Sequence, residues 1–129
     1  MAQREAVDSK VALVTGGVRG IGRAVALGLA HRGWTVAAGY RESEAAAAAL
    51  QAELRSLDAR SLVVRADVSI PENAEDLVRR VEESRGRIDA LINCIGSYHR
   101  VPLTEESIEG WHAMFDHNLH PVFYLSRAA

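Results

Sequence analysis

Thr15-Gly16-Gly17-Val18-Arg19-Gly20-Ile21-Gly22 follows directly on the apolar run Val11-Ala12-Leu13-Val14 and leads into a helical pattern at Ile21, Val25 and Leu29. A glycine-rich turn between a strand and a helix is a place where a dinucleotide pyrophosphate can be held. One glycine lets the strand turn sharply, one lets backbone approach phosphate, and one lets the helix pack on the sheet. The N–H groups opening the helix then face the anion, aided by the helix dipole. The spacing is Gly-x-x-x-Gly-x-Gly, and the absence of Gly-Lys-Ser/Thr argues against a nucleoside triphosphatase P-loop.

Such a turn works only if strands and helices alternate around it. The sequence predicts strands at Val11–Thr15, Thr35–Tyr40, Ser61–Arg65 and Ile88–Asn93, with helices near Gly20–Arg32, Glu42–Leu57, Pro71–Arg85 and Glu105–Ala129. Near-continuous apolar strands separated by helix-length segments imply a parallel sheet covered on both faces, built from right-handed crossovers. Gly33 is placed to end the first helix. Ser69-x-x-Glu72 can form a capping box, with Pro71 in the first turn. The alanine run Ala45–Ala49 reads as a strong helix former. Pro121 breaks the last helical segment, which either kinks there or forms two helices.

The fold class is thus α/β, a doubly wound parallel sheet. Here the chain resembles the short-chain dehydrogenase/reductase family, and within it the 3-oxoacyl reductase branch. Thr15 to Gly22 matches the family's Thr-Gly-x-x-x-Gly-x-Gly at every fixed position, naming Thr15, Gly16, Arg19, Gly20, Ile21 and Gly22 as cofactor-binding. Ala66-Asp67-Val68-Ser69 follows the third strand, where the family's Asp and the backbone after it hold the adenine. Asn93-Cys94-Ile95-Gly96 resembles the family's Asn-Asn-Ala-Gly, with Cys94 and Ile95 as departures. Asn118 lies where the family keeps the helix asparagine of its Asn-Ser-Tyr-Lys tetrad, so the resemblance makes it a catalytic candidate. The resemblance implies a Rossmann-type sheet truncated to about four strands in the order 3-2-1-4. It implies a flexible segment over 1–9 and a cofactor domain over 10–129 that is incomplete at its C-terminus. A methyltransferase using S-adenosylmethionine also has a glycine turn, but does not account for Asp67, Asn93, Gly96 and Asn118 together.

An NAD site wants a carboxylate at the end of the second strand to accept from the ribose hydroxyls. That place holds Tyr40, followed by Arg41. A guanidinium can clamp a 2′-phosphate that a carboxylate would repel. Arg19 is a second cation aimed the same way, and in the family such an arginine goes with NADP. NADP(H) is therefore favoured, with NAD(H) left open by Glu42, one residue further on.

The family's proton donor is a tyrosine whose pKa is drawn down by a lysine four residues later, beside a serine. The positions four after Tyr40, Tyr98 and Tyr124 hold Glu44, Pro102 and Ala128, and Lys10 is the sole lysine. The expectation is an NADP(H)-dependent oxidoreductase by family (carbonyl reduction or alcohol oxidation of a small molecule), with these 129 residues inactive alone. The alternative is a non-catalytic nucleotide-binding module.

Composition narrows the rest. The net charge of −2 offers no basic surface for nucleic acid, and no apolar run reaches membrane-spanning length. One cysteine excludes an intrachain disulfide framework, and the cytoplasm is the default location. Cys94 reads as a small hydrophobe at a strand end. His112, His117 and His120 fall on the last helical segment, where Asp116 is expected to point elsewhere, so no metal site is expected. His99 and Arg100 read as a polar loop near the nicotinamide end of a bound cofactor. Met114, Phe115, Leu119, Val122, Phe123 and Leu125 would leave apolar surface uncovered, so homo-oligomerisation through the last helix is expected.

Overall fold

In the computed structural model, residues 9–129 are described. The expectation of a flexible segment over 1–9 lies, apart from Ser9, outside the described residues. The elements run β1 (Val11–Thr15), α1 (Gly20–His31), β2 (Thr35–Tyr40), α2 (Glu44–Leu57), β3 (Leu62–Arg65), α3 (Pro71–Arg85) and β4 (Ala90–Asn93). A single 3₁₀ turn at Leu103–Glu105 precedes α4 (Ile108–Asn118) and α5 (His120–Ala128). The four strands are parallel and ordered β3-β2-β1-β4.

Side chains alternate across the sheet and so feed two cores. Val11, Leu13 and Ala37 pack with Ala74, Leu77, Val78 and Val81 of α3 and Leu125 of α5. Val14, Val36 and Ala38 pack with Ala26 and Ala30 of α1 and Ala47, Leu50 and Leu54 of α2. Every residue of β1 is buried, as expected for a central strand covered on both faces. The alanine run is helix with one apolar stripe.

The punctuation differs in places from the expectation. Gly33, at φ +84°, ends α1 in a Schellman arrangement: its N–H donates to Ala30 O and that of Trp34 to Leu29 O. The Ser69 capping box does not form. Ser69 Oγ donates instead to Asp67 Oδ1 at 2.6 Å, and the N-cap of α3 is Ile70, with no side-chain cap. β4 begins at Ala90, and just ahead of it Asp89 turns its carboxylate onto the entry of β1: Oδ2 accepts the Val11 N–H at 2.8 Å. The last segment divides at Leu119, with Pro121 in the first turn of α5, where its missing N–H leaves no bond unmade. Leu125 is fully buried against α3, so it does not add to the apolar surface expected of this segment.

Candidate functional site

The carboxyl ends of all the strands open into one cleft of about 390 Å³, within the range of small-molecule sites. Thr15, Gly16, Arg19, Gly20, Ile21 and Gly22 line it from the first crossover, and Tyr40 and Arg41 line it from the end of β2. Asp67, Val68 and Gly96 close the other side. Residues singled out from widely separated places in the sequence thus meet at one site.

The glycine turn is shaped by close approach. A Cβ on Gly22 would lie 2.0 Å from the Gly16 carbonyl oxygen, so helix and turn touch only because that atom is missing. Gly16 and Gly20 both have positive φ, +64° and +53°. A Cβ on Gly20 would meet nothing within 4 Å, so this glycine leaves room on the open side of the turn. These features fit a pyrophosphate laid against the start of α1. At the floor, Thr15 Oγ1 is buried with no hydrogen-bond partner, as is Asn93 Oδ1 on the neighbouring strand, opposite Thr15 in register. Such orphaned oxygens call for a donor from a ligand or water.

Asp67 carries the wall after β3. Its Oδ1 accepts from the Ser69 hydroxyl and, at 3.1 Å, from the Ser69 N–H. These bonds, with the charges of Arg41 and His117 nearby, hold its carboxyl below the usual range despite some desolvation. It therefore presents an ionised acceptor to the cleft. At the end of β2, Arg41 pairs with Glu42 at 3.5 Å, and both side chains are exposed. Tyr40 donates to Glu44, whose carboxylate pushes the phenol pKa up.

Neither Asn93 nor Asn118 is among the lining residues, and Asn118 is exposed. Asn118 Oδ1 accepts the Ser97 N–H at 3.1 Å, and its Nδ2 donates to Ser97 O and to Met114 O, both at 2.8 Å. The side chain ties α4 to the segment after β4. Gly96 makes the approach possible, since a Cβ there would lie 2.8 Å from Asn118 Oδ1.

Reading by motif passed over Ser69, Ser97, His117 and Pro121, which also line the cleft. The family match at Asn118 had already drawn the end of α4 to the site, but it named the residue next to His117 rather than His117 itself. His99 bonds to Glu106 and lies outside the lining. Asp116 does not point away from the histidines: its Oδ1 lies 3.0 Å from His120 Nδ1, one helical turn on. Among the described residues no group of three or more His, Cys, Asp or Glu side chains converges as metal ligands would. Cys94 lines the cleft half-buried, and desolvation pushes its thiol pKa up, away from reactivity. No helix of the described residues is long and apolar enough to cross a membrane.

Comparison with known proteins agrees with this geometry. Residues 10–129 match the model of the short chain dehydrogenase family. A 3-oxoacyl-[acyl-carrier-protein] reductase of Synechocystis is 37% identical over 123 residues, covering 95% of this chain and 50% of that protein. A short-chain dehydrogenase/reductase variant from Serratia marcescens superposes with a TM-score of 0.90 at 30% identity, over 96% of this chain and 51% of that one. RhlG of Pseudomonas aeruginosa, solved as an active-site complex with NADP, superposes with a TM-score of 0.83 at 31% identity, over 92% of this chain and 46% of that one. The chain thus spans about half the length of the relatives it matches. With four parallel strands in the order 3-2-1-4, a glycine cradle at the first crossover and this match, the chain belongs to the short-chain dehydrogenase family.

Proposed function

We propose that this chain binds NADP(H) in the cleft and contributes the cofactor half of an oxidoreductase that interconverts small-molecule carbonyls and alcohols. The observation that carries the reading is the meeting of the glycine cradle, Asp67 and two arginines, Arg19 and Arg41, around one cleft. The turn and α1 N-terminus would hold the pyrophosphate, Asp67 and Val68 the adenine, and the arginines a 2′-phosphate. Once bound, such a cofactor supplies or accepts hydride. The NADP complex of RhlG and the reductase from Synechocystis support the cofactor and the reaction class.

Arg41→Asp tests the cofactor. It should weaken NADPH binding by about tenfold or more while leaving NADH nearly unchanged, because only the former loses a charge-assisted clamp. An equal loss for both in a fluorescence titration would overturn the assignment to NADP(H).

A second reading concerns these 129 residues alone: they bind nucleotide without turnover. Tyr40, the one tyrosine lining the cleft among the described residues, has its phenol pKa pushed up by Glu44, the reverse of what a proton donor near neutrality needs. Lys10 lies ahead of β1 with its ammonium 5.6 Å from the Trp34 ring centroid. Carbonyl reduction assayed alongside NADPH binding should show binding and no hydride transfer.

A further inference from the structure

Among the described residues His117 is the one histidine that lines the cleft, and no ligand role has been given to it. It sits half-buried in the last turn of α4 and lines the cleft along with Pro121, Asp67 and Val68, with Asp67 in electrostatic reach. Its neighbours His112 and His120 do not line the cleft. Among the described residues no side chain hydrogen-bonds its ring, whereas His99 is engaged by Glu106 and His120 by Asp116. Its ring nitrogens are therefore available to a ligand.

The charges around it are mixed. From the segment after β3, the Asp67 carboxylate is within electrostatic reach of the ring. From the end of β2, Arg41 acts on the same carboxylate. On its own helix Asp116 is occupied by His120 of α5, and from the β4 side the cleft presents Cys94, Ile95, Gly96 and Ser97, with no formal charge. An imidazolium here can donate to a purine ring nitrogen and adds a positive charge beside a polyanion. A neutral ring does less of both.

We propose that His117 makes nucleotide binding at this cleft proton-linked: its protonated ring grips the adenine end, so affinity rises as pH falls through the histidine range. The inference rests on the nucleotide-site reading above and adds a regulation to it. Acidification would then strengthen cofactor retention through one side chain within electrostatic reach of Asp67.

The test is an NADPH titration of the 129-residue chain and its His117→Gln and His117→Asn variants between pH 5.5 and 7.5, which brackets the usual histidine value of about 6.5. The ratio of variant to wild-type dissociation constants cancels titration of the 2′-phosphate itself. It should grow about threefold or more towards the acid end. Adenosine 2′,5′-bisphosphate should reproduce the effect, and nicotinamide mononucleotide should not. Calorimetry in buffers of different ionisation enthalpy should show proton uptake on binding that both variants lack. Melting curves across the same range establish that each variant is folded, and the two substitutions guard against one that is not. A pH-independent ratio with NADPH still bound overturns the role of His117 alone. An effect confined to nicotinamide mononucleotide overturns its placement at the adenine end. Failure of the wild type to bind NADPH at any pH overturns the nucleotide-site reading and this inference with it.

Discussion

At the scale of single residues, the glycines of the turn separate folding from binding. A methyl group on Gly22 collides with backbone that cannot move aside, since its Cβ would stand 2.0 Å from Gly16 O. Gly22→Ala should therefore lower stability by about 2 kcal/mol, read as a fall in the denaturant midpoint. At Gly20 the same methyl meets open space, and the cost is only the left-handed backbone at φ +53°, about 1 kcal/mol. Yet that open space is where phosphate would approach. Gly20→Ala should keep most of its stability and lose NADPH affinity by about tenfold or more. If Gly20→Ala bound NADPH as the wild type does, the cradle would not be where the pyrophosphate lies.

At the scale of elements, side chains at the ends of the strands and helices place the site. Asn118 fastens the last turn of α4 to the segment after β4, which keeps His117 and Gly96 on the same cleft. At the opposite end of the sheet, Asp89 joins the entries of β1 and β4. Its carboxyl is held below the usual range, first by the Arg87 guanidinium and then by the Val11 N–H. A depressed carboxylate stabilises the fold above its unfolded pKa, about 3.9, and that contribution is lost as pH falls through the depressed value. An amide can still accept the Val11 N–H but carries no charge. Asp89→Asn should thus be less stable than the wild type at pH 7, with the gap closing as solutions are acidified below about pH 4. Denaturant unfolding at pH 7 and at acid pH reads this directly, and a gap independent of pH would show that the charge contributes nothing.

At the scale of the whole molecule, the two faces of the sheet are covered, but its edges and part of the last helical segment are not. Among the described residues β3 and β4 end the strand order, each with one edge unpaired. Along the last third of the chain, Leu103 is 85% exposed and Phe123 61% exposed, with Ile108, Trp111 and Leu119 also open. Unpaired edges and contiguous apolar surface favour association. We propose that the chain self-associates through α4 and α5. Sedimentation velocity should show concentration-dependent oligomers that Phe123→Glu reduces. A monodisperse, cooperatively melting monomer would contradict the proposal.

The sequence by itself determined the alternation of elements, because the apolar runs and helical stripes that form them are local patterns. The order 3-2-1-4 came with the family resemblance carried by four local motifs. The glycines of the turn were legible for the same reason, since their spacing is constrained by the turn they make. Tertiary structure alone decided what depends on contacts between distant segments. Leu125 goes into the core and Phe123 stays out, because the break at Leu119 sets which side of α5 meets α3. His117 enters the cleft because Asn118 pins the end of α4 to Ser97, across 21 residues of chain. No periodicity in the sequence records that distance, since the contact exists only once the fold has brought the end of α4 to the segment after β4.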